Sequence, residues 1–219
     1  VDVYNADGSW AEKSGNGLRI VGLHEFMKDK RRKRSGFEMG GVVSEVRVLK
    51  KVGGGYMVAT DLGKPEFRSE LVPVRSKQAY MVQAPLKVGG LAFPVTCLSV
   101  GNPHAVLFVD NFDFDWKTLG SESEQHPAFP ERTNVEFVKV VNRKKLRVAE
   151  WERGAGATGS SGTGAAAAVA AAVMGGLAGR ECEVVFEPGA LLVKWDEKTD
   201  LIELSGVVEY IGEGTVEVR

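Results

Sequence analysis

Cysteine and histidine are scarce in this sequence. Only Cys97, Cys182 and three histidines occur among 219 residues. The cysteines are far apart and outside any C-x-x-C spacing, so neither a disulfide framework nor a zinc site is encoded. Metal-free chemistry in a reducing, cytoplasmic setting is the expectation. An excess of either charge sign is also missing: 28 basic residues face 29 acidic ones, for a formal net charge of −1. Nothing in the overall field therefore calls for nucleic acid or an acidic membrane as partner. Long apolar runs are absent too. The longest, 165–174, is about half of the ~20 residues a spanning helix needs, and the N-terminus shows no basic-then-apolar leader pattern. What remains is an ordinary globular composition, 43% hydrophobic and 26% charged, in a chain long enough for one large or two small domains.

Strand patterns dominate the rest. Residues 1–4 alternate and break at Asn5-Ala6-Asp7-Gly8, a strand entering a turn. Ser14-Gly15-Asn16-Gly17 then precedes Leu18, Ile20, Leu23 and Met27, the spacing of a helix with its small polar residues at the start. The basic run 28–34 has no interleaved aromatics and reads as a solvated helix end and loop rather than a phosphate-binding patch. Segments 42–49 and 55–62 flank 50–54 as a hairpin. Further strands are predicted at 78–83, 91–100, 105–109, 134–141, 145–152, 183–186, 190–195, 201–205 and 215–218, with a surface helix at 115–124 ended by Pro127 and Pro130. Because strands follow strands with few helices between them, antiparallel pairing is expected.

A second glycine-rich stretch, Gly154 to Gly164, leads into an alanine-rich segment that stops at Gly175-Gly176. Apolar on all sides, it belongs inside a sheet-wrapped core. Its start, Ser161-Gly162-Thr163-Gly164, echoes Ser14-Gly15-Asn16-Gly17 as a second S-G-x-G. One such motif is what ordinary helix capping produces. Two suggest a duplicated half-fold. A helix start offers free N–H groups and partial positive charge, and glycine lets a carboxylate approach the backbone, so two facing starts would clamp one anion.

Four further motifs, Asn5-Ala6-Asp7-Gly8-Ser9, Gly101-Asn102-Pro103-His104-Ala105, Pro130-Glu131-Arg132-Thr133-Asn134 and Glu152-Arg153-Gly154-Ala155-Gly156, fall in order with the two helix starts. Together they resemble the diaminopimelate epimerase family over essentially the whole chain. The resemblance implies an α/β fold of the α+β type: two pseudo-symmetric domains, each a mostly antiparallel sheet curled around a central helix. It implies a cofactor-independent (PLP-independent) racemase-type isomerase of lysine and peptidoglycan precursor synthesis, converting LL- to meso-diaminopimelate by proton transfer on two faces. By position, Ser14 and Ser161 occupy the two proton-transfer sites. Backbone N–H groups of Gly15, Asn16, Gly162 and Thr163 would hold the α-carboxylate. Asn5, Asn102, Asn134 and Arg153 would hold the distal groups, Glu152 the ammonium or the base at 161, and His104 would assist position 14. Taken singly, Asn5 and Asn102 are also turn formers, Asn134 a strand-end cap, Arg153 a surface cation and His104 a structural loop histidine.

The resemblance breaks at three places. Both positions where the family carries catalytic cysteine are serine here. A thiol, with a pKa near about 8.5, gives a thiolate base at a helix start, whereas a serine hydroxyl needs an adjacent base. Native serine chemistry, a dehydratase or isomerase working through His104 and Glu152, a silent amino-acid-binding homologue and a Cys-to-Ser variant are the alternatives. The family's opening strands with their Gly-Asn-Asp-Phe turn are missing, leaving sheet edges that favour a homodimer or a partner chain completing the first domain. Ala157 and Gly159 replace larger residues, which alters the expected pocket wall. Expected boundaries are 1–65 for the N-terminal domain, 66–206 for the C-terminal domain, and 207–219 for a strand returning to the first.

Overall fold

Short alternating segments and only three helix-forming stretches give a structure made mostly of sheet. The computed structural model describes residues 1–5, 8–215 and 217. In chain order, β1 (Val3–Tyr4) and β2 (Trp10–Ala11) form a small hairpin, followed by α1 (Gly15–Lys28). Next come β3 (Arg34–Met39), β4 (Val42–Val52), β5 (Gly55–Asp61), β6 (Ala84–Val88), β7 (Leu91–Ser99) and β8 (Pro103–Phe108). The rest are α2 (Trp116–Glu124), β9 (Asn134–Asn142), β10 (Lys145–Glu152), β11 (Gly156–Thr158), α3 (Gly162–Met174), β12 (Glu181–Val185), β13 (Ala190–Trp195) and β14 (Ile202–Val208).

Twelve strands join in one ladder, in the order β3-β4-β5-β14-β13-β12-β10-β9-β8-β7-β6, with β11 attached to β10. Among the described residues, only β8 with β9 and β10 with β12 run parallel; the other pairs are antiparallel. β14 is the seam: Leu204 pairs with Thr60 of β5 on one side and Val193 of β13 on the other. The fold is α+β.

Each long helix lies against its own part of the ladder: α1 against β3, β4, β5 and β14, α3 against β7 to β10 and β12 to β14. α1 buries Leu18, Leu23 and Phe26, and Gly22 lets it rest directly on β4, since a Cβ there would meet Val46 Cγ1 at 2.3 Å. Every residue of α3 from Ala165 to Ala172 is fully buried. Alanine serves twice here: it has the highest helix propensity, and its one-carbon side chain lets strands close around the helix on all sides. Ala168→Leu is accordingly expected to overpack this core and cost about 1–3 kcal/mol, read as a lower Tm. A melting temperature equal to wild type would show that α3 is not enclosed.

A second core lies around α2, where Phe137 of β9 meets Phe114 and Trp116 edge-on or tilted and Trp151 packs alongside. β9 and β10 are therefore covered on both faces, by α3 and α2.

Two expectations are corrected. Residues 78–83 form no strand; Arg68 and Tyr80 make one isolated bridge, and the strand is β6, six residues further on. β6 contains Pro85 and ends the ladder, where a missing N–H costs no hydrogen bond. The basic run is loop only up to Lys33: Arg34 opens β3, whose single buried residue, Met39, gave the sequence little hydrophobic signal. Of the anticipated strand at 215–218, residues 216 and 218 fall outside the described residues, as does the centre of the Asn5-to-Gly8 turn.

Candidate active site

The two S-G-x-G segments are helix starts, and they touch. Ser14 caps α1, its Oγ accepting from Gly17 N–H at 3.0 Å; Ser161 caps α3, its Oγ accepting from Gly164 N–H at 3.1 Å. Gly15 and Gly162, one residue further on, lie backbone against backbone: a Cβ on Gly162 would sit 3.0 Å from Gly15 Cα and 2.7 Å from Leu204 Cδ2. No other residue type fits at either position. The Asn16 amide spans the junction, donating to Ser160 C=O at 3.1 Å.

A cavity of about 280 Å³ opens where the helices meet. Of the residues singled out from sequence, it brings together Ser14, Ser161, Glu152, Asn5, Gly15, Asn16, Asn102, Asn134, Arg153, Gly162 and Thr163. Two residues that sequence reasoning missed, Glu12 and Lys13, also line it. Ala157 and Gly159 do not; they line a separate surface cavity, so the altered wall expected from them is corrected.

Positive potential converges on this space. Two helix dipoles end at it, each equivalent to roughly half a positive charge. Arg19 lies just behind, buried, with Nε on Gly15 C=O and Nη2 on Asn16 Oδ1, and burial lowers its guanidinium to about 10. No carboxylate pairs with it among the described residues. Lys13 donates to Ser44 Oγ at 2.9 Å; burial lowers its pKa, partly opposed by Asp61. The arrangement suits an anion.

Arg153 is held by several contacts. Its N–H donates to Asn134 Oδ1 at 2.9 Å, Nη1 to Glu131 C=O at 3.3 Å, and Nη2 pairs with Glu12. In this structure, then, a carboxylate from the first half of the chain already occupies one edge of the guanidinium. Asn134 uses its amide on the backbone at both ends, Nδ2 donating to Pro103 C=O at 2.8 Å. Asn5 Nδ2 donates to Ser9 Oγ at 3.1 Å. Glu152 accepts from Thr158 Oγ1, and burial raises its pKa against that hydrogen bond.

His104, expected to assist position 14, does not line the cavity; it is fully buried behind Asn102. Both ring nitrogens are taken: Nδ1 lies 2.6 Å from Glu136 Oε1 and Nε2 2.9 Å from Asn102 Oδ1. Asn102 donates its Nδ2 to Thr163 Oγ1 at 3.3 Å, so its Oδ1 can only accept from the ring, and Nε2 carries the hydrogen. Nδ1 is then the acceptor for a protonated Glu136, whose carboxyl burial pushes well above its usual range. The chain Glu136, His104, Asn102, Thr163 ends at Ser161, 3.4 Å from Thr163 Oγ1. Hydrogen bonds thus connect the ring to the second helix start.

Burial also lowers the His104 pKa, from 6.5 to about 3. The ring is therefore expected to show the Nε2–H tautomer by nitrogen NMR, with no titration from pH 8 to 5. A transition near 6.5 would contradict the assignment. In the unfolded chain the ring takes up its proton first as pH falls, so His104 contributes a loss of stability between about 6.5 and 3.

Residues 96–213 match the family described as diaminopimelate epimerase. A diaminopimelate epimerase from Acetivibrio thermocellus is 38% identical over 221 residues, covering 99% of this chain and 78% of that protein. One from Desulfovibrio desulfuricans is 38% identical over 216 residues, covering 93% and 74%. Among solved structures, a hydroxyproline epimerase from Agrobacterium vitis with bound trans-4-hydroxy-L-proline superposes with a TM-score of 0.65 at 14% identity, covering 92% of this chain and 66% of that one. That last likeness speaks for the fold alone.

Proposed function

The chain belongs to the diaminopimelate epimerase family and is an amino-acid epimerase, an isomerase; we propose that its substrate is diaminopimelate, interconverted between LL and meso forms by proton transfer on two faces of one α-carbon. The observation that carries this is the meeting of two helix starts, Gly15 against Gly162, at one cavity.

The chemistry follows from what such a junction offers. An α-proton beside a carboxylate is weakly acidic because removing it piles negative charge onto the carboxylate oxygens. N–H groups of Gly15, Asn16, Gly162 and Thr163, fixed before the reaction begins, are positioned to meet that charge as it develops. Ser14 and Ser161, one on each helix, flank the α-carbon bound there. Arg153 is the acceptor for the distal carboxylate, which would displace Glu12 from its edge. We place the reaction in lysine and cell-wall precursor synthesis, in the cytoplasm.

A second reading, a site that binds without turnover, draws on one observation: both hydroxyl oxygens already accept from their own helices. Incubation with LL-diaminopimelate followed by chiral separation distinguishes the two. Appearance of the meso form is expected; a bound substrate recovered unchanged supports the silent site.

A further inference from the structure

Beneath Ser161 lies a buried carboxyl that the proposed reaction has not yet used. Residue 150 sits in the middle of three adjacent strands, directly opposite Glu136 of β9 on one side and Thr158 of β11 on the other. Directly paired residues point to the same face of a sheet, and this face is the one α3 covers with its first turn. Glu150 is 1% exposed, and neither carboxyl oxygen has a hydrogen-bond partner in the resting geometry. A buried carboxyl left without partners costs several kcal/mol of solvation relative to an apolar residue, so its presence asks for a reason.

Its position supplies one. The carboxyl packs onto Gly164, where a Cβ would come within 2.6 Å of Oε2 and 2.8 Å of Oε1. Gly164 is also the residue whose N–H holds Ser161 Oγ, at 3.1 Å. The glycine therefore brings the Glu150 carboxyl close behind that hydroxyl, short of a hydrogen bond at rest. We propose that Glu150 is the proton partner of Ser161, a positioning residue that exchanges one proton with the serine hydroxyl from the interior while the cavity side of that oxygen meets the α-carbon.

The inference rests on the two-face reading given above. When Ser161 acts as base, its O–H bond breaks toward an ionised Glu150 oxygen as Oγ takes the α-proton. The C–H electron pair stays on the substrate, spread into the carboxylate held by the helix N–H groups. In the other direction Glu150 gives its proton to Oγ as Ser161 protonates carbon. Two protons each move one step, the net result being one proton passed from carbon to Glu150 or back, and nothing is oxidised or reduced.

Charge around the site fits a group able to work in both states. Burial and then the negative charge of Glu152 push the Glu150 carboxyl well above the usual range; the Ser161 hydroxyl, close by but outside hydrogen-bonding geometry at rest, pulls weakly the other way. Thr158 faces it from β11, and Lys117 and Glu187 line a surface cavity that also touches residue 150. A carboxyl raised above its usual range holds a proton more readily than a free one, which suits a group that both takes up and returns it.

Two measurements test this. In the otherwise unchanged chain, Glu150→Gln keeps shape and removes the exchangeable proton; it is expected to slow α-proton exchange about 10²-fold with diaminopimelate Kd unchanged, and to flatten one limb of the pH–rate profile. Glu150→Asp should recover part of the rate. The second measurement needs no turnover. In a Ser161→Cys background, the pH dependence of iodoacetamide alkylation should show two coupled steps, and adding Glu150→Gln should collapse them to one, ending about one pH unit lower or more. An alkylation profile that Glu150→Gln leaves unchanged overturns the proposal whether or not the chain epimerises. A shifted profile in a chain that exchanges no α-proton upholds the pairing and removes the epimerase reading instead.

Discussion

Gly162→Val is expected to eliminate substrate binding. A single Cβ at this position already falls 3.0 Å from Gly15 Cα and 2.7 Å from Leu204 Cδ2, so a branched side chain fits only if α1 and α3 separate at their starts. Overpacking of this kind costs about 1–3 kcal/mol of stability, but the functional loss is larger. In the proposed site the N–H groups of the two helices must reach the same carboxylate, and a displacement of about 1 Å costs on the order of 10²-fold. Calorimetry with meso-diaminopimelate should show affinity reduced by at least about 10²-fold, in a protein that still melts cooperatively. Gly189→Ala is the control: its Cβ meets nothing within 4 Å, and binding should not change. Wild-type affinity in the Gly162→Val protein would mean that the junction does not form the carboxylate site.

The second large effect is a gain. Changing both Ser14 and Ser161 to cysteine puts thiols where helix starts lower their pKa, and a thiolate takes a proton at neutral pH without help. The double variant should exceed the wild-type epimerisation rate by about 10³-fold. Each single variant should accelerate removal of the α-proton from one diastereomer only, because in the proposed reaction each helix start serves one face. A double variant that binds substrate but gains no rate would show that the acid and base groups were not what limited the reaction.

How much of this was legible depends on whether the signal was local. The helix starts were, because S-G-x-G is a short pattern with its own physics and its repetition stood out. So was the enclosed helix, since eight successive buried positions from Ala165 to Ala172 leave no polar face to mistake. Strand β10 was readable from its alternation, with the bounds 145–152. β3 was not, because an edge strand with one buried residue carries almost no pattern.

The site divides along the same line. Glu12 is 141 positions from Arg153, and nothing near either residue announces the pair. His104 could be placed only by knowing that β8 runs parallel to β9 with His104 beside Asn134, which turns the ring toward Glu136 two residues on. Glu136 and Glu150 were hidden for a further reason. In a strand exposed on one face, alternating carboxylates mark the solvent side; β9 and β10 are covered on both faces by α2 and α3, so that rule fails where the buried carboxyls sit.

All of these inferences depend on two faces of one α-carbon being served from two helices. Incubating the wild-type chain with LL- and meso-diaminopimelate in deuterated water, and following the α-hydrogen by proton NMR, examines that directly. Solvent deuterium should enter the α-position from both starting diastereomers, and Ser14→Ala and Ser161→Ala should each suppress it from a different one. Substrate that binds yet keeps its α-hydrogen, or loses it equally in both variants, would contradict the account.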